Sequence, residues 1–335
     1  MSKSRENTLA KQSNPVEETQ KAIIVLGMHR SGTSAMTRVL NLLGADLGST
    51  LLEANPNNLK GFWEHSEILA NHVLLLEELG SAWDDIRPLP QTWWMSNAAR
   101  ECQNRIIGII NTDFVRSKLW AVKDPRMCRL MKMWHLIFSE TGITPHFIIV
   151  FRHPLEVVSS LKSAVASMGL EKSLLLWAIC VLEAEKDTRH FRRVFISFNS
   201  LLQRPIEIIN AISNSLDITW PQCNPESVKK ISEFLDMRLR HHTCSNPLID
   251  SHLNAPRWIF DLFELLKSVD AKNGESAIDG FSDGWTEISQ LANNIMVLAL
   301  SQDIQQRYHE VKELYGWGSQ DAKNLLERMG YCQEK

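Results

Sequence analysis

The chain has 335 residues, 44% hydrophobic and 22% charged, with 36 Lys and Arg against 39 Asp and Glu and a net charge of −3. That is an ordinary globular composition with ample chain for a core, and it excludes a general nucleic-acid coat, which needs a strongly basic balance. The longest apolar run, residues 174–182, is nine residues where a spanning helix needs roughly 20, and the six cysteines form no Cys-x-x-Cys pair, which argues against a disulfide framework or a cysteine zinc site.

Residues 1–20 are polar, charged and without hydrophobic period, and are expected to be a disordered tail with no secretory signal. A reduced, cytoplasmic setting follows. Order is expected from Lys21, with Ala22-Ile23-Ile24-Val25-Leu26 as a buried central strand. Next comes Gly27-Met28-His29-Arg30-Ser31-Gly32-Thr33-Ser34, then a helix whose Met36, Val39, Leu40 and Leu43 fall on one face. A glycine-rich turn between a strand and a helix makes a socket for phosphate from backbone N–H groups and the helix N-terminus. The spacing is G-x-x-x-x-G-T-S, so Thr33 stands where a nucleotide hydrolase has its Lys, and the cation is Arg30, three residues earlier.

Residues 55–65 form a loop ending in Gly61-Phe62-Trp63-Glu64-His65, before a helix marked by Ile68, Leu69, Val73, Leu76 and Leu79. Glu64 is either a carboxylate favoured by the helix dipole or a base desolvated by Phe62 and Trp63; His65 and Glu67 are its rivals. Trp83, Trp93 and Trp94 are core or a stacking platform for a sugar. A helix is expected over 98–116, then a strand over 119–122 that ends in Lys123-Asp124-Pro125-Arg126. Asp124 reads as a cap or as an orienter of Lys123; Arg126 reads as a phosphate contact or a partner of Asp124.

A third strand, residues 147–151, ends in Arg152-His153-Pro154. Proline in the first helical turn leaves the Arg152 guanidinium at the carboxyl edge of the sheet, where open α/β sheets bind ligands. Arg152 holds an anion there or forms a structural ion pair. Ser159 and Ser160 follow on the next expected helix. Helices are expected over 154–167 and 171–190, and a fourth strand over 194–198. From 225 no further strand is expected: 272–284 reads as a loop and 286–299, 302–315 and 319–329 as helices. The alternation of strand and helix implies an α/β fold with a parallel sheet flanked by helices.

Four segments together resemble the PAPS-dependent sulfotransferases, PAPS being 3′-phosphoadenosine 5′-phosphosulfate: Arg30-Ser31-Gly32-Thr33, Gly61-Phe62-Trp63-Glu64, Lys123-Asp124-Pro125-Arg126, and Arg152 with Ser160. The likeness is to a bacterial branch similar to glycan and tyrosylprotein sulfotransferases, and it covers roughly 21–245. It implies a P-loop NTPase-like sulfotransferase fold with a C-terminal helical extension, divided as 1–20 tail, 21–245 catalytic domain and 246–335 extension. It also implies that His29, Arg30, Ser31, Gly32, Thr33 and Ser34 hold the 5′-phosphosulfate. Arg152 and Ser160, eight residues on, would hold the 3′-phosphate, with Ser159 the fallback for Ser160; Lys123 and Arg30 would act at the transferring group, and Glu64 would be the base. No metal is expected; the acceptor is expected to be a hydroxyl of a glycan or polar metabolite. Phe198-Asn199-Ser200 departs from the family's Tyr-Glu-Asp and receives no role. The basic cluster Arg238, Arg240, His241 and His242 is a phosphate contact or a solvated helix end. A P-loop kinase and a catalytically degenerate nucleotide-binding protein remain as alternatives.

Overall fold

The computed structural model describes residues 20–54, 61–165, 168–235 and 257–271. Four parallel strands form one sheet in the order β2-β1-β3-β4: β1 is Lys21–Leu26, β2 Leu119–Lys123, β3 Thr144–Phe151 and β4 Arg193–Ser197. Ile24 stands opposite Val122 on one side and Phe147 on the other. The chain leaves β1 for β2 and later returns to β3 on β1's other side. This reversal opens a crevice at the carboxyl ends of β1 and β3, the place where doubly wound sheets bind ligands.

The strands are apolar on both faces because helices cover both. Ala22, Ile24 and Leu26 face one core, with α2 (Ser66–Glu78), α3 (Asn97–Asp113), α4 (Met127–Thr141), α5 (Pro154–Ala164) and α6 (Leu170–Thr188). Ile23 and Val25 face the other, with α1 (Thr33–Leu42), α7 (Phe198–Gln203), α8 (Pro205–Leu216) and α9 (Pro225–Phe234). A last described helix, α10 (Arg257–Ser268), sets Phe263 against Phe151 and His153 beside the tip of β3.

The expected parallel α/β fold is present, with local differences. Helix α4 was not anticipated, although Met127, Leu130, Met131, Trp134 and Phe138 recur on one buried face. Strand β3 begins at Thr144, because Pro145 concealed its start. Proline is tolerated there since β4 pairs only from Phe147 onward. Phe198 opens α7 rather than ending β4. The two helices after β3 end earlier than expected, at Ala164 and Thr188, as does α3, at Asp113. The expected tail up to residue 19, the boundary at 245, the cluster 238–242 and the elements expected from 272 onward lie outside the described residues. Among the described residues no helix is long and apolar enough to cross a membrane.

Candidate active site

The turn after β1 is tightly wound against its neighbours. Gly27 (φ 145) passes so close to β3 that a Cβ would meet the Val150 carbonyl oxygen at 2.3 Å. Its N–H donates to Cys128 Sγ of α4 at 3.2 Å. Arg30 (φ 68) and Gly32 (φ 96) are both left-handed, which curls the backbone. At Gly32 a Cβ would strike the Phe198 ring at 2.2 Å, so the residue that departs from the family pattern is the floor against which the turn lies. Helix α1 starts here with no side chain capping it, leaving first-turn N–H groups without intrahelical acceptors. Ser31 Oγ is buried with no hydrogen-bond partner. An uncapped helix start and an orphaned hydroxyl in one turn are the donor set that a phosphate or phosphosulfate satisfies.

His29 shapes this turn. Its ring meets Trp83 edge-on at 4.8 Å. Burial, then the Arg126 charge, pushes its pKa down to about 3, so the imidazole is neutral.

The tip of β3 joins the same socket. Arg30 Nε donates to Ser160 Oγ at 2.8 Å, and an Arg152 Nη donates to the Arg30 carbonyl oxygen at 3.4 Å. Ser160 is buried on the inner face of α5 while Ser159 is exposed, which removes the fallback. Arg152 also makes the ion pair that was its alternative reading: Nε donates to Glu156 Oε2 at 2.8 Å. Trp177 Nε1–H donates to the Arg152 carbonyl oxygen at 3.1 Å, and the guanidinium lies 5.2 Å from the Phe198 ring centre. Burial, then the nearby Arg152, lowers the Arg30 pKa. Two guanidinium groups drawn together in this way repel, and an anion between them relieves the repulsion.

Glu64 and Lys123 form a buried ion pair, the lysine Nζ donating to Oε1 and also to Ser34 Oγ at 3.2 Å. The pair is set by backbone: Leu52 N–H donates to the Glu64 carbonyl at 2.8 Å, and Ser66 N–H to that of Thr50 at 2.8 Å. Trp63 (φ 56) turns its ring under Arg38 of α1, 4.4 Å away. Burial pushes the Glu64 carboxyl up and the Lys123 ammonium down, while each opposes the other's shift. The rivals of Glu64 sit elsewhere. His65 caps α2, its Nδ1 accepting from Ile68 N–H, and contacts Asp113 Oδ2 through Nε2 at 3.0 Å. Glu67 is exposed.

Of the three tryptophans considered for a stacking platform, Trp93 is core and Trp94 lies under Lys132; only Trp83 touches the turn. The sequence reading missed His72 and Trp134, which lie behind Asp124, and Asp270, which receives Ser197 N–H at 2.7 Å and the Ser200 hydroxyl. All three act across more than 50 residues, and no local pattern carries such contacts. Glu156 was legible as a carboxylate one turn from Arg152. Among the described residues no three His, Cys, Asp or Glu cluster as metal ligands.

No family model matches the chain, and no curated protein matches it. Three solved structures share part of its course. The sulfotransferase domain of the curacin biosynthetic pathway is 15% identical over 82% of this chain and 98% of its own, with a TM-score of 0.39. The sulfotransferase domain of the Synechococcus PCC 7002 olefin synthase is 15% identical over 75% and 98%, at 0.41. The sulfotransferase STF1 of Mycobacterium tuberculosis H37Rv is 15% identical over 73% and 76%, at 0.42. Likenesses at this level assign neither a family nor an activity.

Proposed function

We propose that the chain is a metal-independent sulfotransferase that uses PAPS as donor and a hydroxyl of a glycan or polar metabolite as acceptor. The observation that supports this reading is the hydrogen bond at 2.8 Å from Arg30 of the turn after β1 to Ser160 of the helix after β3, which sets two candidate anion-binding segments beside one another. A mononucleotide phosphate needs one such site, whereas a nucleotide phosphorylated at both ends needs two held at a fixed separation.

PAPS, when bound, supplies the sulfuryl group. The turn of residues 29–34 binds the phosphosulfate through backbone N–H groups and the Ser31 and Thr33 hydroxyls; Arg152 and Ser160 bind the 3′-phosphate. Glu64 takes the acceptor proton as the acceptor oxygen bonds to sulfur and the bond from sulfur to the phosphate oxygen breaks. A raised carboxyl pKa suits this role because the base must hold a proton once it has taken it. That proton neutralises Glu64 and frees the Lys123 ammonium for the leaving oxygen, so each half of the ion pair acquires its task when the other changes charge. Ser34 keeps Lys123 at the mouth of the turn.

A kinase is disfavoured by commitments already made in the site. Thr33 stands at the lysine position. Asp124, the carboxylate at a strand tip where magnesium would be held, is bound to His72 and Arg126. Radiolabelled sulfate transfer from PAPS onto pooled acceptors, with a metal chelator present, tests the proposal. Label is expected in acceptor with chelator; phosphoryl transfer from ATP that the chelator stops would overturn it. Binding of adenosine 3′,5′-bisphosphate without any transfer would favour a degenerate binding protein.

A further inference from the structure

A chain of buried hydrogen bonds runs behind the Lys123 tip. Trp134 Nε1–H of α4 donates to His72 Nε2 of α2 at 3.0 Å, and His72 Nδ1 meets Asp124 Oδ2 at 2.8 Å. Indole N–H is only a donor, so Nε2 must accept and carries no proton. The imidazole proton is therefore on Nδ1, and it is donated to Asp124. The other carboxylate oxygen, Oδ1, accepts from Arg126 N–H at 3.0 Å and Arg126 Nη1 at 2.9 Å. His72 is fully buried, Asp124 is 1% exposed, and the Arg126 side chain is 13% exposed. The chain thus starts in the core and ends on the guanidinium of a largely buried arginine in the turn after β2. The Arg126 charge acts on His29, Glu64 and Lys123 alike.

We propose that His72 is a positioning residue for the transfer site, acting through Asp124 to hold the Arg126 guanidinium as a further cation beside Lys123 and the phosphate-binding turn. This rests on the sulfotransferase reading. A long arginine side chain has many rotamers, and an ionised carboxylate two residues before it selects one of them. Asp124 keeps that role only while it is ionised. The groups that bear on its charge are His72 of α2, Arg126 in its own turn, and Lys123 of β2. Glu64 of the segment before α2 and His29 of the phosphate-binding turn face it as well. Hydrogen bonds from His72 and Arg126 hold the Asp124 carboxyl well below the ordinary range against its burial.

Two polar substitutions separate the two ends of the imidazole. His72→Asn places an amide N–H near the Nδ1 position and keeps the bond to Asp124. His72→Gln reaches the Nε2 position and keeps an acceptor for Trp134 while losing the donor to Asp124. Sulfuryl transfer from PAPS and affinity for adenosine 3′,5′-bisphosphate are measured on the full chain, with circular dichroism to check folding. For His72→Gln, kcat should fall roughly ten-fold or more, the size expected for losing a hydrogen bond to a charged group. Nucleotide affinity should change by less than about two-fold, so that the loss falls on turnover and not on cofactor binding. His72→Asn should stay near wild type on all counts. Equal losses in both variants, or a loss of nucleotide affinity that matches the loss of turnover, would reduce His72 to a packing residue and overturn the proposal, as would a folded His72→Gln with ordinary turnover. A wild-type chain that transfers nothing from PAPS would sink the sulfotransferase reading together with this one; an active wild type with an unaltered His72→Gln sinks this one alone.

Discussion

Two buried ion clusters sit at opposite ends of the same sheet, and they are built differently. At the amino end the Glu185 carboxylate of α6 receives Arg189 Nε on both oxygens at 2.9 and 3.0 Å, Arg189 Nη2 at 2.8 Å and Arg193 Nη2 at 3.2 Å. Arg193 also donates to the Glu185 carbonyl at 2.6 Å. One anion is gripped by two guanidinium groups, and the cluster ties the end of α6 to the start of β4. At the carboxyl end Glu64 and Lys123 meet through one carboxylate oxygen, and burial drives both toward their neutral forms. A carboxylate bonded through both oxygens to two guanidinium groups is a clamp; a buried pair joined through one oxygen and displaced toward neutrality can hand over a proton. Burial alone does not distinguish the two clusters. Their hydrogen-bond count does.

Four measurements test that contrast. The largest effect is expected for Glu64→Gln, with turnover falling by roughly 10²–10⁴ while calorimetry finds the affinity for adenosine 3′,5′-bisphosphate nearly intact; ordinary turnover in this variant would remove Glu64 from the chemistry. Glu185→Leu should do the reverse. Stranding the buried Arg193 should cost about 3–5 kcal/mol in denaturant unfolding, with turnover per folded molecule unchanged, and a stable Glu185→Leu chain of low activity would erase the distinction. Arg30→Ala and Arg152→Ala should each weaken binding of the bisphosphate by about 1.5–3 kcal/mol, read by titration calorimetry. Equal loss at both would sharpen the view of one ligand held at two ends. The smallest effect is in the pH profile. Glu64 must be ionised to act as a base, and burial raises its pKa above the ordinary 4.5, so activity should fall as pH drops through a limb lying above that value. A limb at or below the ordinary value would show that another group takes the proton.

Much of the site was legible because it is local. A strand, a turn with glycines at 27 and 32, and a helix lie within one stretch of chain; Arg152 and Ser160 share a strand tip and the helix after it. These are consequences of periodicity and of glycine's freedom at positive φ. The start of β3 was hidden for a local reason as well: a proline near the beginning of a strand, where β4 does not yet pair, looks like a break.

What the sequence by itself determined is the parallel α/β order and the set of charged residues delivered to the carboxyl edge, since each depends on neighbours a few residues away. Only the tertiary structure decided how those charges are paired. It placed Glu64 against Lys123, Arg30 against Ser160, Ser159 in solvent, His65 on a helix cap and His72 behind Asp124. Each of the pairings among these joins segments 59 residues (Lys123 and Glu64), 130 residues (Arg30 and Ser160) or 52 residues (His72 and Asp124) apart. Contacts of that range are chosen by the packing of helices on a twisted sheet, and a chain read one window at a time contains no term for them.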